Sequence, residues 1–120
     1  MAIILVVEDE LLLSLDISEA LEDEGYDVIA VANADEAIKV LESRNDIPTI
    51  FTDVDLPGSM DGLKLAAAVR DRWPPIHIIV TTGMRAPNRD EMPANSMFIA
   101  KPYRSAEVLQ VVRSFENALP

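Results

Sequence analysis

Acidic side chains follow two short apolar segments of this 120-residue chain. The triplet Glu8–Glu10 comes directly after the run Ile3–Val7, and Asp53 follows the run Thr49–Thr52. If the two runs are neighbouring strands, at least three carboxylates meet at one edge, where unpaired like charges are costly. Protonation or a hard divalent cation would relieve that repulsion. Oxygen ligands without cysteine or histidine suit Mg²⁺ or Mn²⁺, so the pattern predicts a metal site of that kind.

The acidic triplet also has a plainer interpretation. Glu8–Glu10 could simply open a helix whose N-terminal dipole favours negative charge. Asp53 favours the cation site, because an acid that ends an apolar strand gives up hydration and needs a compensating partner.

Two other strand ends carry a hydroxyl and an ammonium group. The run Ile76–Val80 leads into Thr81 and Thr82, and the run Met97–Ala100 leads into Lys101. Each residue alone has an ordinary explanation, since a lysine is often solvated or ion-paired and threonine is a good strand former. Combined with the acids, they supply what phosphoryl transfer needs: a carboxylate nucleophile, a metal that bridges oxygens, and a lysine and a hydroxyl that neutralise the remaining charge.

The elements that would position these residues alternate along the chain. Five apolar runs, rich in Ile and Val, indicate strands that are covered on both faces. They are Ile3–Val7, Val28–Val31, Thr49–Thr52, Ile76–Val80 and Met97–Ala100. Helical patterns lie between them, and right-handed crossovers then predict an α/β fold with a five-stranded parallel sheet and helices on both faces. Such sheets bind ligands beyond the carboxyl ends of their strands.

Capping and breaking residues mark the expected helix ends. The caps are Asn33 with Glu36 for the second helix, Asp61 for the third and Ser105 for the last. The segment Trp73–Pro75 ends the third helix, because proline cannot continue it. Two prolines leave the segment Met84–Ser96 room for only one or two turns, so the fourth helix is predicted to be short or irregular.

Negative charge is concentrated at the start of the chain. Residues 1–38 contain 11 acids and no Lys or Arg, whereas the remainder contains 10 acids and all 10 bases, which gives a net charge of −11. A phosphate backbone would repel this chain, so direct nucleic-acid binding is not expected. The absence of cysteine excludes disulfides and thiolate metal sites and fits a cytoplasmic protein. No apolar run has membrane length, no basic signal region is present, and the length predicts one domain, residues 1–120.

Four segments together resemble the response-regulator receiver domain of two-component phosphorelay signalling, over essentially the full chain. They are Val6–Glu10, Asp53–Gly62, Thr81–Gly83 and Phe98–Tyr103. The resemblance implies a CheY-like, flavodoxin-like fold with strand order 2-1-3-4-5. It also implies a signalling phosphoacceptor that receives a phosphoryl group from a histidine kinase or a histidine phosphotransfer protein, catalyses that transfer itself and slowly dephosphorylates. We expect a stand-alone response regulator, either a monomer or a phosphorylation-linked homodimer.

The resemblance assigns an acceptor and a metal site to the first and third strand ends. Asp53 is the implied phosphoacceptor. Asp9 would ligate Mg²⁺ (or Mn²⁺), as would Glu8, either directly or through water. Asp53 itself and the backbone carbonyl of Asp55 complete the implied ligand set.

The other two strand ends are implied to respond to the phosphoryl group. Lys101 would pair with a phosphoryl oxygen and precede a cis peptide bond to Pro102. Thr82 is the expected switch hydroxyl, because the family usually has Ser or Thr before a small residue, and Thr81 is the alternative. Phe98 matches the aromatic residue that repacks when that hydroxyl moves. The change is expected to reach the surface of the fourth helix region, the fifth strand and the last helix.

Some positions depart from the common family pattern. Asp55 is acidic where many members are neutral, which could tune metal affinity or the lifetime of the phosphoryl group. The short Met84–Ser96 segment puts the usual output surface in question. Val54 follows the acceptor and Trp73, the single tryptophan, ends the third helix, so tryptophan fluorescence should report Mg²⁺ binding poorly.

Two rival interpretations stay open. Asp53 and Asp55 also fit the Asp-x-Asp motif of haloacid-dehalogenase-type phosphatases, with Asp53 as nucleophile and Asp55 as general acid/base. The chain could instead be a receiver-like interaction module that is never phosphorylated. His77 is a weaker candidate for phosphotransfer, because a histidine within an apolar strand is more often structural.

Overall fold

The structure is a computed structural model that describes residues 2–84, 86–94 and 96–117. Within these residues, five strands and four α-helices alternate, with one 3₁₀ turn before the last strand. The elements are β1 (Ile3–Val7), α1 (Leu11–Asp23), β2 (Asp27–Val31), α2 (Ala34–Ser43), β3 (Thr49–Asp53), α3 (Gly62–Arg72), β4 (His77–Thr82), the 3₁₀ turn (Arg89–Glu91), β5 (Met97–Ala100) and α4 (Ser105–Asn117).

All five strands are parallel and lie in the order β2-β1-β3-β4-β5, which confirms the predicted sheet. β1 and β3 are neighbours, and Asp53 at the end of β3 lies opposite Thr81 of β4. Thr82 lies opposite Ala100 of β5. The carboxyl ends of four strands therefore meet at one edge, where the sequence places its polar residues.

The sheet separates two apolar cores. On one face Leu5 packs with Leu41 of α2 and Leu65 of α3, and on the other face Ile17 of α1 packs with Val108 of α4. Each fully buried side chain of this size contributes roughly 1.5–3 kcal/mol to stability. β1 and β3 are buried on both faces as predicted, whereas the edge strands β2 and β5 are partly exposed. Among the described residues, no helix combines the length and the apolar character that a membrane span requires.

Helices α2 and α3 begin where their capping residues predict. The Asn33 side chain accepts a hydrogen bond from the Glu36 N–H (2.9 Å), and Asp61 accepts one from the Lys64 N–H (2.8 Å). The Glu36 carboxylate accepts from the Ala32 N–H (2.9 Å), which is one residue earlier than a standard capping box would have it.

The prediction for the start of α4 is wrong by one residue. Ser105 is the first residue of the helix rather than its cap. The Glu107 carboxylate instead reaches back and accepts a hydrogen bond from the Arg104 N–H (3.1 Å). An acid in the first turn therefore satisfies the free backbone donor that precedes the helix.

The described part of the segment between β4 and β5 contains little helix, as its two prolines predict. In the described part of this segment the helical structure is the 3₁₀ turn Arg89–Glu91, and the Glu91 carboxylate accepts a hydrogen bond from the Asn88 N–H (2.8 Å). Arg85 and Asn95, which belong to the same segment, lie outside the described residues.

Gly62 allows α3 to start directly against the end of β3. It is buried, and its N–H donates to the Val54 carbonyl (2.9 Å). A Cβ atom here would lie 2.7 Å from Val54 Cα and from the Asp53 carbonyl carbon, and closer still to the Asp53 carbonyl oxygen. A glycine at this position therefore sets how closely α3 approaches the edge where the acids converge.

Gly62→Ala is expected to lower the free energy of unfolding by about 2 kcal/mol, because backbone must shift to make room for the methyl group. Urea unfolding followed by circular dichroism measures this change. Gly83→Ala is the matched control, since a Cβ there would lie 3.7 Å from Lys101 Cβ, an ordinary contact. Unchanged stability of Gly62→Ala would contradict this account of the packing.

Candidate functional site

Three carboxylates converge at the carboxyl edge of the sheet. Glu8 and Asp9 follow β1, and Asp53 is the last residue of β3. One oxygen from each residue lies within 4.8 Å of the others. Glu8 and Asp53 are buried, whereas Asp9 is exposed. The structure thus brings together the acids that the sequence singles out, in a group that solvent can reach beside Asp9.

Lys101 bridges the two buried acids. Its Nζ donates hydrogen bonds to Glu8 Oε1 (3.1 Å) and to Asp53 Oδ2 (3.0 Å). The residue follows β5, where its own N–H donates to the Thr82 carbonyl (3.0 Å), and its peptide bond to Pro102 is cis. Within the described part of the chain, Lys101 is therefore one cation facing three carboxylates, which leaves this group with a surplus of negative charge.

Burial and ion pairing act in opposite directions on the groups in this cluster. Burial raises the pKa of Glu8, and the charge of Asp53 adds to the rise, while the Glu10 N–H (3.1 Å) and Lys101 oppose it. Burial lowers the pKa of Lys101, but its bonds to Asp53 and Glu8 outweigh burial, so that pKa is raised overall. Lysine is thus held in its charged form, and a cation in the cluster would relieve the repulsion that remains.

Asp55 connects the cluster to the end of β4. Its N–H donates to Asp53 Oδ1 (3.1 Å), and its carboxylate oxygen Oδ2 accepts a hydrogen bond from the Thr82 hydroxyl (2.6 Å). The Thr82 Oγ1 in turn accepts a hydrogen bond from the Met84 N–H (3.1 Å). A line of hydrogen bonds therefore runs from the Asp53 carboxylate to the first residues of the segment between β4 and β5.

The two threonines at the end of β4 have different surroundings. Thr81 is buried, and its hydroxyl has no hydrogen-bond partner in the described part of the chain. Phe98 lies opposite Val80 in the β4–β5 pairing, so Phe98 and Thr82 project from the same face of the sheet. Of the two candidate hydroxyls, the structure therefore places Thr82 with Phe98 and with a polar partner beside Asp53.

Two contacts of the site were not foreseen from the sequence. The bond between the Asp55 carboxylate and Thr82 joins residues 27 positions apart, and short motifs carry no signal for it. Tyr103 packs its ring against Phe51, with centroids 5.5 Å apart, and burial together with the charge of nearby Glu8 raises its pKa to about 12. The position of Tyr103, two residues after Lys101, is the sequence signal that could have indicated its packing near the site.

His77 and Trp73 lie at the opposite end of the sheet. His77 begins β4 and stacks on Phe115 of α4, with ring centroids 4.3 Å apart. Trp73 follows α3, and the Arg72 guanidinium lies 4.2 Å from its ring centroid. The histidine therefore makes a structural contact with the last helix and is separated from the carboxylates by the length of its strand.

Comparison with known proteins identifies the family. The family model for the response regulator receiver domain matches residues 4–113. The chain belongs to this family. Receiver domains bind Mg²⁺ at an acidic pocket and interact with histidine kinases. Membership confirms the resemblance seen in the sequence, and it weighs against the phosphatase interpretation of Asp53 and Asp55.

Curated relatives of this receiver domain are much longer than the chain. The response regulator protein FleR of Pseudomonas aeruginosa is 31% identical over 112 residues, which cover 91% of this chain and 23% of FleR. A putative NtrX-like response regulator of Rickettsia bellii is 29% identical over 115 residues, covering 92% of this chain and 24% of the relative. The chain thus spans about a quarter of the length of these relatives, 23% and 24% respectively.

Solved receiver structures match the whole fold. A response regulator receiver protein from Sinorhizobium medicae has a TM-score of 0.91 at 30% identity, covering 98% of this chain and 95% of that one. The response regulator TrrA of Thermotoga maritima, solved in complex with Mg²⁺ and BeF, has a TM-score of 0.86 at 28% identity, covering 95% and 98%. These similarities confirm the CheY-like, flavodoxin-like fold.

Proposed function

We propose that Asp53 accepts a phosphoryl group from the phosphohistidine of a histidine kinase or a histidine phosphotransfer protein. The observation that carries this proposal is the buried Asp53 carboxylate at the carboxyl edge of a receiver fold, with Lys101 Nζ 3.0 Å away. Its second oxygen accepts from the Asp55 N–H (3.1 Å), so two partners hold the carboxylate in one orientation. Phosphoryl transfer depends mainly on such positioning and on charge stabilisation.

The proposed transfer exchanges one bond to phosphorus for another. A carboxylate oxygen of Asp53 forms a bond to phosphorus, and the bond from phosphorus to the histidine nitrogen breaks, with the electron pair leaving on nitrogen. The product carries about two negative charges. Lys101 then stabilises a phosphoryl oxygen, Thr82 donates its hydroxyl to another, and Phe98 repacks on the face that it shares with Thr82. That repacking is the proposed signal.

We propose Mg²⁺ (or Mn²⁺) as the cofactor, held by Glu8, Asp9, Asp53 and the backbone carbonyl of Asp55. The residues fit such an ion, because the carboxylate oxygens lie within 4.8 Å of one another and Lys101 alone does not balance their charge. When bound, such an ion would neutralise negative charge on the phosphoryl group. The complex of the related TrrA with Mg²⁺ and BeF supports the assignment.

The outer face of α1 is proposed as part of the docking surface for the phosphodonor protein. Its exposed acids are Asp16, Glu19, Glu22 and Asp23. The helix begins directly after the acidic triplet, and Leu11, Leu12 and Leu15 near its start are 70%, 76% and 54% exposed. Exposed leucines beside an acidic face fit a partner with an apolar patch and basic residues around it.

Residues 1–120 are proposed to form one receiver domain in the cytoplasm, as a monomer or a phosphorylation-linked homodimer. The lack of cysteine supports this compartment. Stand-alone action stays a prediction, because the curated relatives are much longer than this chain.

Added Mg²⁺ is expected to raise the free energy of unfolding by about 2.7 kcal/mol at one hundred times its dissociation constant, because the ion binds the folded cluster only. Thermal unfolding measures the shift. Asp9→Asn should lose most of this shift, and Asp27→Asn, at the far end of β2, should retain it.

Trp73 emission should stay constant when Mg²⁺ is added, since that residue lies at the other end of the sheet. Strong, saturable quenching would contradict this placement.

Incubation with acetyl phosphate and Mg²⁺ is expected to add a single phosphoryl group, seen by intact mass. The adduct should be absent in Asp53→Asn, present in Asp27→Asn and prevented by EDTA added before the donor. A wild-type chain that takes up no phosphoryl group from several donors would instead be a non-phosphorylated interaction module. Turnover of a phosphate ester that depends on the Asp55 side chain would favour the phosphatase interpretation.

Reversal of the four α1 acids to lysine is expected to slow phosphotransfer from a protein donor roughly tenfold at low salt, because electrostatic steering is lost. The donor would be whichever member of a panel of purified kinases and phosphotransfer proteins labels the wild-type chain. Acetyl phosphate serves as the internal control, since it needs no docking surface and its rate should be unchanged. If the protein-donor rate and its salt dependence match the wild type, this face is only solvated.

A further inference from the structure

We propose that the Asp55 carboxylate is a positioning residue that holds the Thr82 hydroxyl in its unphosphorylated arrangement and must release it when Asp53 is phosphorylated. We name the two linked hydrogen bonds, Thr82 to Asp55 and Met84 to Thr82, the Asp55 latch. The inference rests on the proposed function of Asp53. It concerns the side chain of Asp55, whereas the proposed metal site uses only the backbone carbonyl of that residue.

The latch is a short, charge-assisted bond at a buried hydroxyl. Thr82 is only 2% exposed, and its Oγ1 lies 2.6 Å from Asp55 Oδ2. Hydrogen bonds from a hydroxyl to a carboxylate at this distance are about twice as strong as neutral ones. Since a buried hydroxyl without a partner is unfavourable, Thr82 has a clear preference for this arrangement while Asp53 carries no phosphoryl group.

The latch and a bound phosphoryl group compete for the same proton. A threonine hydroxyl has one hydrogen to donate, so Thr82 cannot give a full hydrogen bond to Asp55 and to a phosphoryl oxygen together. Any shift of Thr82 towards Asp53 therefore requires release from Asp55. It also draws Oγ1 away from the Met84 N–H, which donates to it at 3.1 Å.

Phosphorylation would weaken the latch from two directions. The Asp55 N–H donates to Asp53 Oδ1 (3.1 Å), so bonding of phosphorus to the Asp53 carboxylate changes the acceptor that orients Asp55. The added charge repels the Asp55 carboxylate and offers Thr82 a strong competing acceptor. The latch thus favours the resting population, and phosphorylation favours the released one.

Release would be transmitted to the segment between β4 and β5. Met84 is the second residue of that segment, and it is 75% exposed. Its N–H loses its acceptor when the hydroxyl moves, so the backbone at residues 83 and 84 becomes free to rearrange. This is a direct link from the Asp53 carboxylate to an exposed part of the surface.

The first test needs no phosphodonor. Amide hydrogen exchange measured by NMR should show the Met84 N–H exchanging roughly fivefold to tenfold faster in Asp55→Ala than in the wild type, as expected for loss of a charge-assisted bond. Asp55→Asn keeps a neutral acceptor and should give a smaller effect. Glu10→Gln removes an equal charge from the same edge and is the matched control. A wild-type exchange rate at Met84 in Asp55→Ala would overturn the proposal.

The second test separates the latch from simple charge repulsion. With saturating Mg²⁺, Asp55→Ala should accelerate phosphorylation by acetyl phosphate roughly fivefold, and more than Asp55→Asn does, because less work is needed to free Thr82. In a Thr82→Val background, which lacks the hydroxyl, the same Asp55→Ala change should have little effect. Equal acceleration by both Asp55 variants, persisting in the valine background, would indicate charge alone and contradict the latch.

The two tests fail independently. If the wild-type chain takes up no phosphoryl group, the proposed function of Asp53 is wrong, while the exchange rate at Met84 still reports whether Asp55 holds Thr82. Urea unfolding of each variant verifies that the compared proteins are folded.

Discussion

The charge imbalance at the carboxyl edge of the sheet is the constraint on which the site depends. Glu8 and Asp53 are buried acids that share one ammonium group, that of Lys101, and exposed Asp9 adds a further charge. Loss of Lys101 would leave two buried charges uncompensated, which is strongly unfavourable. The two apolar cores and the parallel pairing of β1, β3, β4 and β5 hold these groups together. A site of this kind favours the binding of a cation and the transfer of an anionic group whose charge a cation can neutralise.

The sequence predicts this edge well because the ion-paired residues Glu8, Asp53 and Lys101 each follow an apolar run. Each comes at the end of its run, and the fold rule for parallel sheets places all of them at one edge. Such reasoning could not decide which face of the sheet each residue of β4 points to. The strand continues to Thr82, and only its pairing with β5, with Phe98 opposite Val80, decides which threonine shares a face with the aromatic residue.

Helix α1 shows a different limit of sequence patterns. Ile17 and Leu21, four positions apart, are buried as an amphipathic helix requires, but helical spacing gives no reason for Leu11, Leu12 and Leu15, which are exposed. Helical spacing indicates which apolar residues can face the core, but it does not explain apolar residues that lie on the exposed face. Likewise Ser105 is suited to a cap, yet the longer Glu107 side chain satisfies the free donor, so the helix starts one residue earlier.

The two oxygens of Asp53 have different partners, and each oxygen connects the site by hydrogen bonds to the end of a different strand. Oδ2 is bonded to Lys101, which follows β5, and Oδ1 is bonded to the Asp55 N–H, which leads through Thr82 to Met84 after β4. A phosphoryl group on either oxygen disturbs both routes, because the whole carboxylate changes its charge and its acceptors. The routes enclose the segment between β4 and β5, whose described helical structure is a single 3₁₀ turn. Such a short element is held by few backbone bonds, so a change in one or two hydrogen bonds is a large fraction of what keeps it in place.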